Sequence, residues 1–225
     1  MSDFTPTART KVRQKPQRGV YDRAVIESIL DEAFVCQIGF VLDGQPYVIP
    51  TNYVRVGDRL FLHGSTASRM FRALAGGAAL CLSVTLIDGL VLAPSATGHS
   101  INYRSVVVLG KAEAIEDAQE KFEAMRAFVE RVIPGRWESV RPPSEQELKG
   151  TMVLALPLTE VSAKVRTGPP LFLDEDAGWE PWTGVLPLKL APGEAVPALH
   201  GKATIPLPDY LRNYRRRDRE AVTKR

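Results

Sequence analysis

Three turn-forming dipeptides, Asp43-Gly44, Gly57-Asp58 and Asp88-Gly89, punctuate short runs of β-branched and apolar residues. That cadence limits the fold more than any other feature of the chain. Asp-Gly between alternating apolar residues is a strong hairpin signal, because both residues accept the positive φ of a tight turn. Segments 34–42, 45–56 and 59–63 therefore read as an antiparallel meander. Segments 79–87 and 90–93 read as another hairpin-like pair around Asp88-Gly89, and 102–115 as one long strand. A last long strand covers 152–158 and 160–165, broken at Pro157. Six or more strands and few helices predict a mainly β chain with peripheral α-helices, wrapped as a closed or partly closed barrel. There is no internal repeat, and no linker divides the chain into two cores.

The helices are fewer. In 21–33, Val25, Ile26, Ile29, Leu30 and Ala33 recur at helical spacing on one face. A short helix over 68–75 is stopped by Gly76-Gly77. In 117–132, Phe122, Met125, Phe128, Val129 and Val132 form an inward stripe, and Pro134-Gly135 ends it. Ser144 followed by Glu147 is a capping box before one more turn. Residues 1–18 have almost nothing to bury and read as a flexible basic arm. The barrel domain is expected over 19–190, with a C-terminal extension and basic tail over 191–225.

Charge is unevenly spread. The net +3 arises from five basic against one acidic residue in 1–18 and seven against two in 212–225, which leaves the middle acidic. An acidic folded part argues against an extended nucleic-acid surface, and the tail reads as a solvated terminus. The richest apolar run, 76–93, is cut by Asp88-Gly89, so no membrane span is expected. The N-terminus lacks the apolar stretch of a secretory signal. Cys36 and Cys81 lie in apolar strand contexts, as free thiols of a reducing cytoplasm do.

The candidate chemistry lies at strand ends. No Walker-type loop, G-x-G-x-x-G turn or G-x-S-x-G elbow is present, and His63, His99 and His200 lack metal-site spacing. The strand ending at His63 runs through Gly64-Ser65-Thr66-Ala67-Ser68 into a helix near Arg69. Such a corner presents backbone N–H groups, hydroxyls and a guanidinium, which together suit a phosphate. Thr51-Asn52-Tyr53 and Asn102-Tyr103-Arg104-Ser105 add polar groups at other strand ends, and Trp179 and Trp182 offer flat walls. A phosphorylated planar cofactor across the barrel surface fits this set.

The motifs resemble one family. They comprise Tyr21-Asp22-Arg23, Pro50-Thr51-Asn52-Tyr53, His63-Gly64-Ser65 with Ser68-Arg69-Met70, Asp88-Gly89-Leu90, Asn102-Tyr103-Arg104-Ser105, Pro134-Gly135-Arg136-Trp137 and Ala163 to Pro170. Across 20–190 they are similar to the pyridoxamine 5′-phosphate oxidase-like, FMN-binding split-barrel proteins, in the branch that includes the nitroimidazole-resistance (Nim) reductases. The resemblance implies a homodimer with FMN in clefts between subunits. It implies that Ser65, Ser68 and Arg69 hold the phosphate, that Pro50, Thr51, Asn52, Tyr53, His63 and Gly64 line the ring, and that Arg104 and Ser105 reach it from a neighbouring strand. Trp182 would approach from the partner. Where relatives often carry an aromatic and two histidines, this chain has Thr97-Gly98-His99.

The implied activity is FMN-dependent reduction of a small oxidised acceptor with NAD(P)H or another donor, with His63 and His99 as catalytic candidates. A non-catalytic flavin carrier or sensor fits the same residues, as does a haem protein with His63 or His99 as axial ligand. Pyridoxamine-phosphate oxidation itself fits less well, since His200 is followed by Gly201-Lys202 rather than forming an Arg-x-His grip.

Overall fold

The computed structural model describes residues 2–198 and 205–215; His200-Gly201-Lys202 and the tail from residue 216 lie outside them. Two antiparallel sheets share one core. The larger joins β1 (Gly19–Val20), β10 (Glu160–Arg166), β7 (Ser100–Lys111), β6 (Ala79–Leu92), β2 (Val35–Leu42) and β3 (Gln45–Asn52) in that order, with β11 (Gly184–Pro187) added along β6. The smaller joins β4 (Val54–Val56), β5 (Arg59–Ser65), β9 (Thr151–Pro157) and β8 (Glu113–Ala114). This is a mainly β barrel with peripheral helices, as the turn cadence predicts, and it is split between two sheets, as the family resemblance implies.

The chain crosses between sheets where single long strands were expected. Segment 45–56 breaks at Tyr53, whose buried hydroxyl donates to the Leu30 carbonyl at 2.5 Å, so β3 and β4 enter different sheets. Segment 102–115 breaks likewise at the buried Ala112.

Asp88-Gly89 is not a hairpin turn. β6 runs through it as one 14-residue strand with a bulge between Ile87 and Gly89. β11 explains the difference: a Cβ on Gly89 would lie 3.0 Å from the Leu186 carbonyl oxygen, so glycine serves close backbone approach here.

The helices follow their caps. Asp22 caps α1 (Arg23–Glu32), Ser68 caps α2 (Arg69–Ala75) and Asp117 caps α3 (Ala118–Val132), each accepting a backbone N–H of the first turn. The Ser144–Glu147 capping box opens α4 (Glu145–Gly150). A further short helix, α5 (Asp209–Arg212), follows the C-terminal segment. The main core packs α1 and α2 against residues such as Ile38, Leu62, Leu82 and Val108. A smaller cluster under α3 holds Val54, Phe61, Phe128 and Val153.

The flexible arm is corrected. Phe4 is buried in the main core, Tyr21 Oη donates to the Thr10 carbonyl at 3.1 Å, and Thr7 and Arg9 both engage Glu160. One aromatic anchor and this network dock residues 2–18 on the barrel. Segment 167–198 is docked through β11, but its large apolar side chains are left uncovered: Leu171, Phe172, Trp179, Trp182 and Leu190 are each more than 60% exposed.

Candidate functional site

Alternation along β5 builds the site. Leu60 and Leu62 face the main core, while Phe61 and His63 face α3. His63 meets the Phe128 ring edge-on, with centroids 4.2 Å apart. Its Nδ1 is enclosed and has no hydrogen-bond partner among the described residues. Burial lowers the pKa of the imidazole, which favours the neutral ring, the form that binds metals.

The cavity beside His63 measures about 520 Å³, and its other walls include Asn52, Met125, Phe128, Val132, Arg136 and Tyr210. The α3 stripe thus divides: Phe128 closes on the sheet beside Phe61 and Val153, while Val129 and the half-exposed Val132 line an open slot. Arg136 donates to Tyr210 Oη at 2.6 Å, which latches α5 at the cavity. An apolar slot of cofactor size with an imidazole and a guanidinium in its walls fits a haem, which His63 would ligate. Among the described residues no group of three or more His, Cys, Asp or Glu side chains forms another metal site.

Ser65 lies two residues beyond His63 on β5, about 6.6 Å along the strand. Its Oγ accepts from Ala67 N at 3.1 Å, and the Ser68 hydroxyl caps Phe71 N. Arg69 is exposed, 5.4 Å from the Tyr47 ring centroid, and has no carboxylate partner among the described residues. Ser65 and Arg69 are exposed and Ser68 is half-buried, so this corner is open to solvent. Gly64 contributes space instead: a Cβ there would lie 2.5 Å from the Phe71 ring.

The other predicted residues separate. Pro50 and Asn52 are exposed on edge strand β3, whereas Thr51 turns inward beside Cys36. The Tyr53 side chain is buried, so only its backbone is available to a ligand. Arg104 and Ser105 point to opposite faces, as adjacent strand residues must. Ser105 is half-buried and donates to the Lys164 carbonyl at 3.3 Å.

Arg104 is buried and clasped by both oxygens of Asp88 and of Glu32. Burial alone would lower its pKa, but those hydrogen bonds raise it. That ion cluster also lines a second cavity of about 560 Å³, with Thr85, Ile87 and Pro187 in its walls. His99 is exposed, with Nδ1 at 3.0 Å from the Ser95 carbonyl. Trp182 packs over Gly184 on the exposed segment, and neither Trp182 nor His99 lines the His63 cavity. Sequence reasoning missed Arg136 and Tyr210; the motif Pro134-Gly135-Arg136-Trp137 was the available signal for the first.

Residues 22–165 match the family model of pyridoxamine 5′-phosphate oxidase. The chain belongs to that family. Within it, the chain is similar to the flavocytochrome Anf3 from Azotobacter vinelandii, at 40% identity and TM-score 0.88, over 94% of this chain and 99% of that one. It is also similar to an FAD and heme binding protein from Mycobacterium smegmatis, at 36% identity and TM-score 0.83, over 87% and 96% of the two chains. A candidate 5-nitroimidazole antibiotic resistance protein from Bacteroides thetaiotaomicron shares 27% identity with TM-score 0.56, over 65% and 86%. No curated protein matches the sequence. Among the described residues no helix is long and apolar enough to cross a membrane.

Proposed function

We propose that this family member is a flavin-dependent redox protein that also holds a haem, in the manner of a flavocytochrome. The observation that carries the haem assignment is His63, a neutral imidazole in the wall of an apolar cavity, whose enclosed Nδ1 leaves Nε2 as the nitrogen for a metal. Similarity of 36–40% to proteins named for flavin and haem supports both cofactors. A bound flavin supplies hydride and single-electron transfer, and a haem supplies one-electron exchange.

The chain's own residues divide that work. Ser65, Ser68 and Arg69 hold the flavin phosphate, and Pro50 and Asn52 offer the β3 edge to the ring. Phe128, Val129 and Val132 exclude water from the haem slot, and Arg136 faces an acidic substituent there. FMN satisfies the phosphate corner, and FAD is the alternative that the Mycobacterium relative brings. NAD(P)H is the proposed donor and a small oxidised molecule the acceptor. A second copy covers the exposed apolar residues of segment 167–198, forming a homodimer in the cytoplasm.

Absorption spectroscopy tests the assignment. Protein titrated with FMN or FAD and with haemin should show flavin bands and a Soret band. His63→Ala should lose the Soret band and keep the flavin, and Arg69→Ala should do the reverse. An unchanged Soret band in His63→Ala removes the haem ligand, and unchanged flavin affinity in Arg69→Ala removes the corner. NAD(P)H should bleach the bound flavin; no bleaching leaves a carrier rather than an enzyme.

A further inference from the structure

Two arginines on neighbouring strands are equally covered but differently met. In the β7–β10 ladder Arg104 stands opposite Val165 and Arg166 opposite Tyr103. Arg104 is 6% exposed and Arg166 7%. Two carboxylates clasp Arg104, whereas Arg166 has no carboxylate partner among the described residues. Among the described residues its one side-chain hydrogen bond runs from Nη1 to Asn102 Oδ1, and Asn102 in turn donates to the Gly168 carbonyl at 3.1 Å. A guanidinium cannot shed its proton to escape burial, so a covered one without a counter-charge is costly.

Further cations gather at the same place. Arg18 closes the turn Pro16–Arg18, directly before Gly19, which pairs with Lys164. Extending that register by one step sets the Arg18 backbone across from Val165, the residue before Arg166, and the Arg18 charge reaches the Arg166 guanidinium. Burial first, and Arg18 second, lower the pKa of Arg166. Lys164 shares the outer face with Arg166, and neither it nor Arg18 has a carboxylate partner among the described residues. Glu160, at the far end of β10, is engaged by Arg9.

The fully enclosed polar side-chain atoms without partners among the described residues are His63 Nδ1 and Ser95 Oγ. The remaining N–H groups of Arg166 therefore keep an opening to the surface. Tyr103 and Ser105 bring hydroxyls to the same face, and Ile87 and Ile101 stand exposed nearby.

We propose that Arg166 and Arg18 form a subsite for the phosphate or carboxylate group of a ligand lying on this outer face. The missing counter-charge belongs to the ligand, and the exposed isoleucines suit an apolar body attached to the anion. A flavin nucleotide, a haem propionate and a free anionic substrate all carry such a group. The subsite itself rests on the arginine geometry and not on the flavocytochrome assignment.

Calorimetric titration of the cofactor-free full chain with inorganic phosphate and pyrophosphate tests it. An Arg69→Ala background keeps the β5–α2 corner from taking the probe. The parent should bind at least one of the two anions, Arg166→Gln should weaken that binding tenfold or more, and Arg166→Lys should keep part of it. Arg18→Gln, at a half-buried edge position, should weaken it severalfold and carries the test if Arg166→Gln does not fold.

Paired titrations then identify the source. A loss in Arg166→Gln confined to FMN or FAD relative to riboflavin assigns a flavin phosphate. A loss confined to haemin relative to its dimethyl ester assigns a propionate, and a loss confined to the free anions assigns a substrate. No anion binding by the parent, or unchanged binding in both variants, overturns the proposal whatever the cofactor spectra show.

Discussion

Gly64→Ala is the substitution whose cost can be worked most directly from the geometry. The added Cβ would lie 2.5, 2.8 and 2.9 Å from Cε2, Cδ2 and Cζ of Phe71. Carbon atoms in ordinary contact sit about 3.5–4.0 Å apart, so the ring must retreat by roughly 1 Å. Phe71 is buried in the main core and has no room to do so. Overpacking of this kind costs about 1–3 kcal/mol. Gly64 is not in the left-handed region, so alanine adds no backbone strain and recovers about 0.5–1 kcal/mol of chain entropy.

A 2.5 Å approach puts the cost in the upper half of that range, about 2–3 kcal/mol, so the net is a loss of about 1–2.5 kcal/mol, or a fall in Tm of roughly 2–10 °C for a chain of this size. Calorimetry measures it directly. Phe71→Leu in the alanine background should relieve the clash, so the double variant should be about 1 kcal/mol more stable than the summed single losses. An unchanged Tm in Gly64→Ala, or strict additivity with Phe71→Leu, would refute the argument. Because Ser68 caps Phe71 N, the same shift should displace the start of α2 and weaken flavin binding.

Three other outcomes are expected. Arg104→Met should cost about 3–5 kcal/mol by urea denaturation, because Glu32 and Asp88 are left facing each other; a loss below about 1 kcal/mol contradicts the buried cluster. Phe4→Ala should release the N-terminal arm, seen as trypsin cleavage at Lys11 or Arg13 well before the barrel is cut. The Glu147 carboxyl is held down to about 2, first by Arg141 and then by Ser144. A lowered folded-state pKa stabilises above the ordinary glutamate range and loses that contribution as pH falls toward about 2. NMR titration should show that midpoint, and Arg141→Gln should raise it.

Local signals made much of the barrel readable. Asp43-Gly44 and Gly57-Asp58 form the turns that their chemistry demands, and the Ser144–Glu147 box opens a helix as spaced. What failed depended on distant partners. Asp88-Gly89 has hairpin chemistry, but a strand from far downstream docks on it and turns it into a bulge. Phe4 is one aromatic in a polar stretch, and nothing local announces the core contact that anchors it. Arg104 and Ser105 were readable as opposite-facing from the period of two alone. The stripe on α3 looked like ordinary core because periodicity records which face is apolar, not whether a neighbour covers it.

The two-part edge of β6 bears on how the chain folds as it is made. Residues 80–83 pair with β2, which precedes them, but residues 89–92 on that edge wait for β11. At about 5–20 residues per second, the ninety or so residues between them leave those backbone groups bare for roughly 5 to 20 seconds. An unpaired edge is a template for other chains. A ribosome stalled before residue 184 should therefore hold a nascent barrel that recruits holdase chaperones at β6.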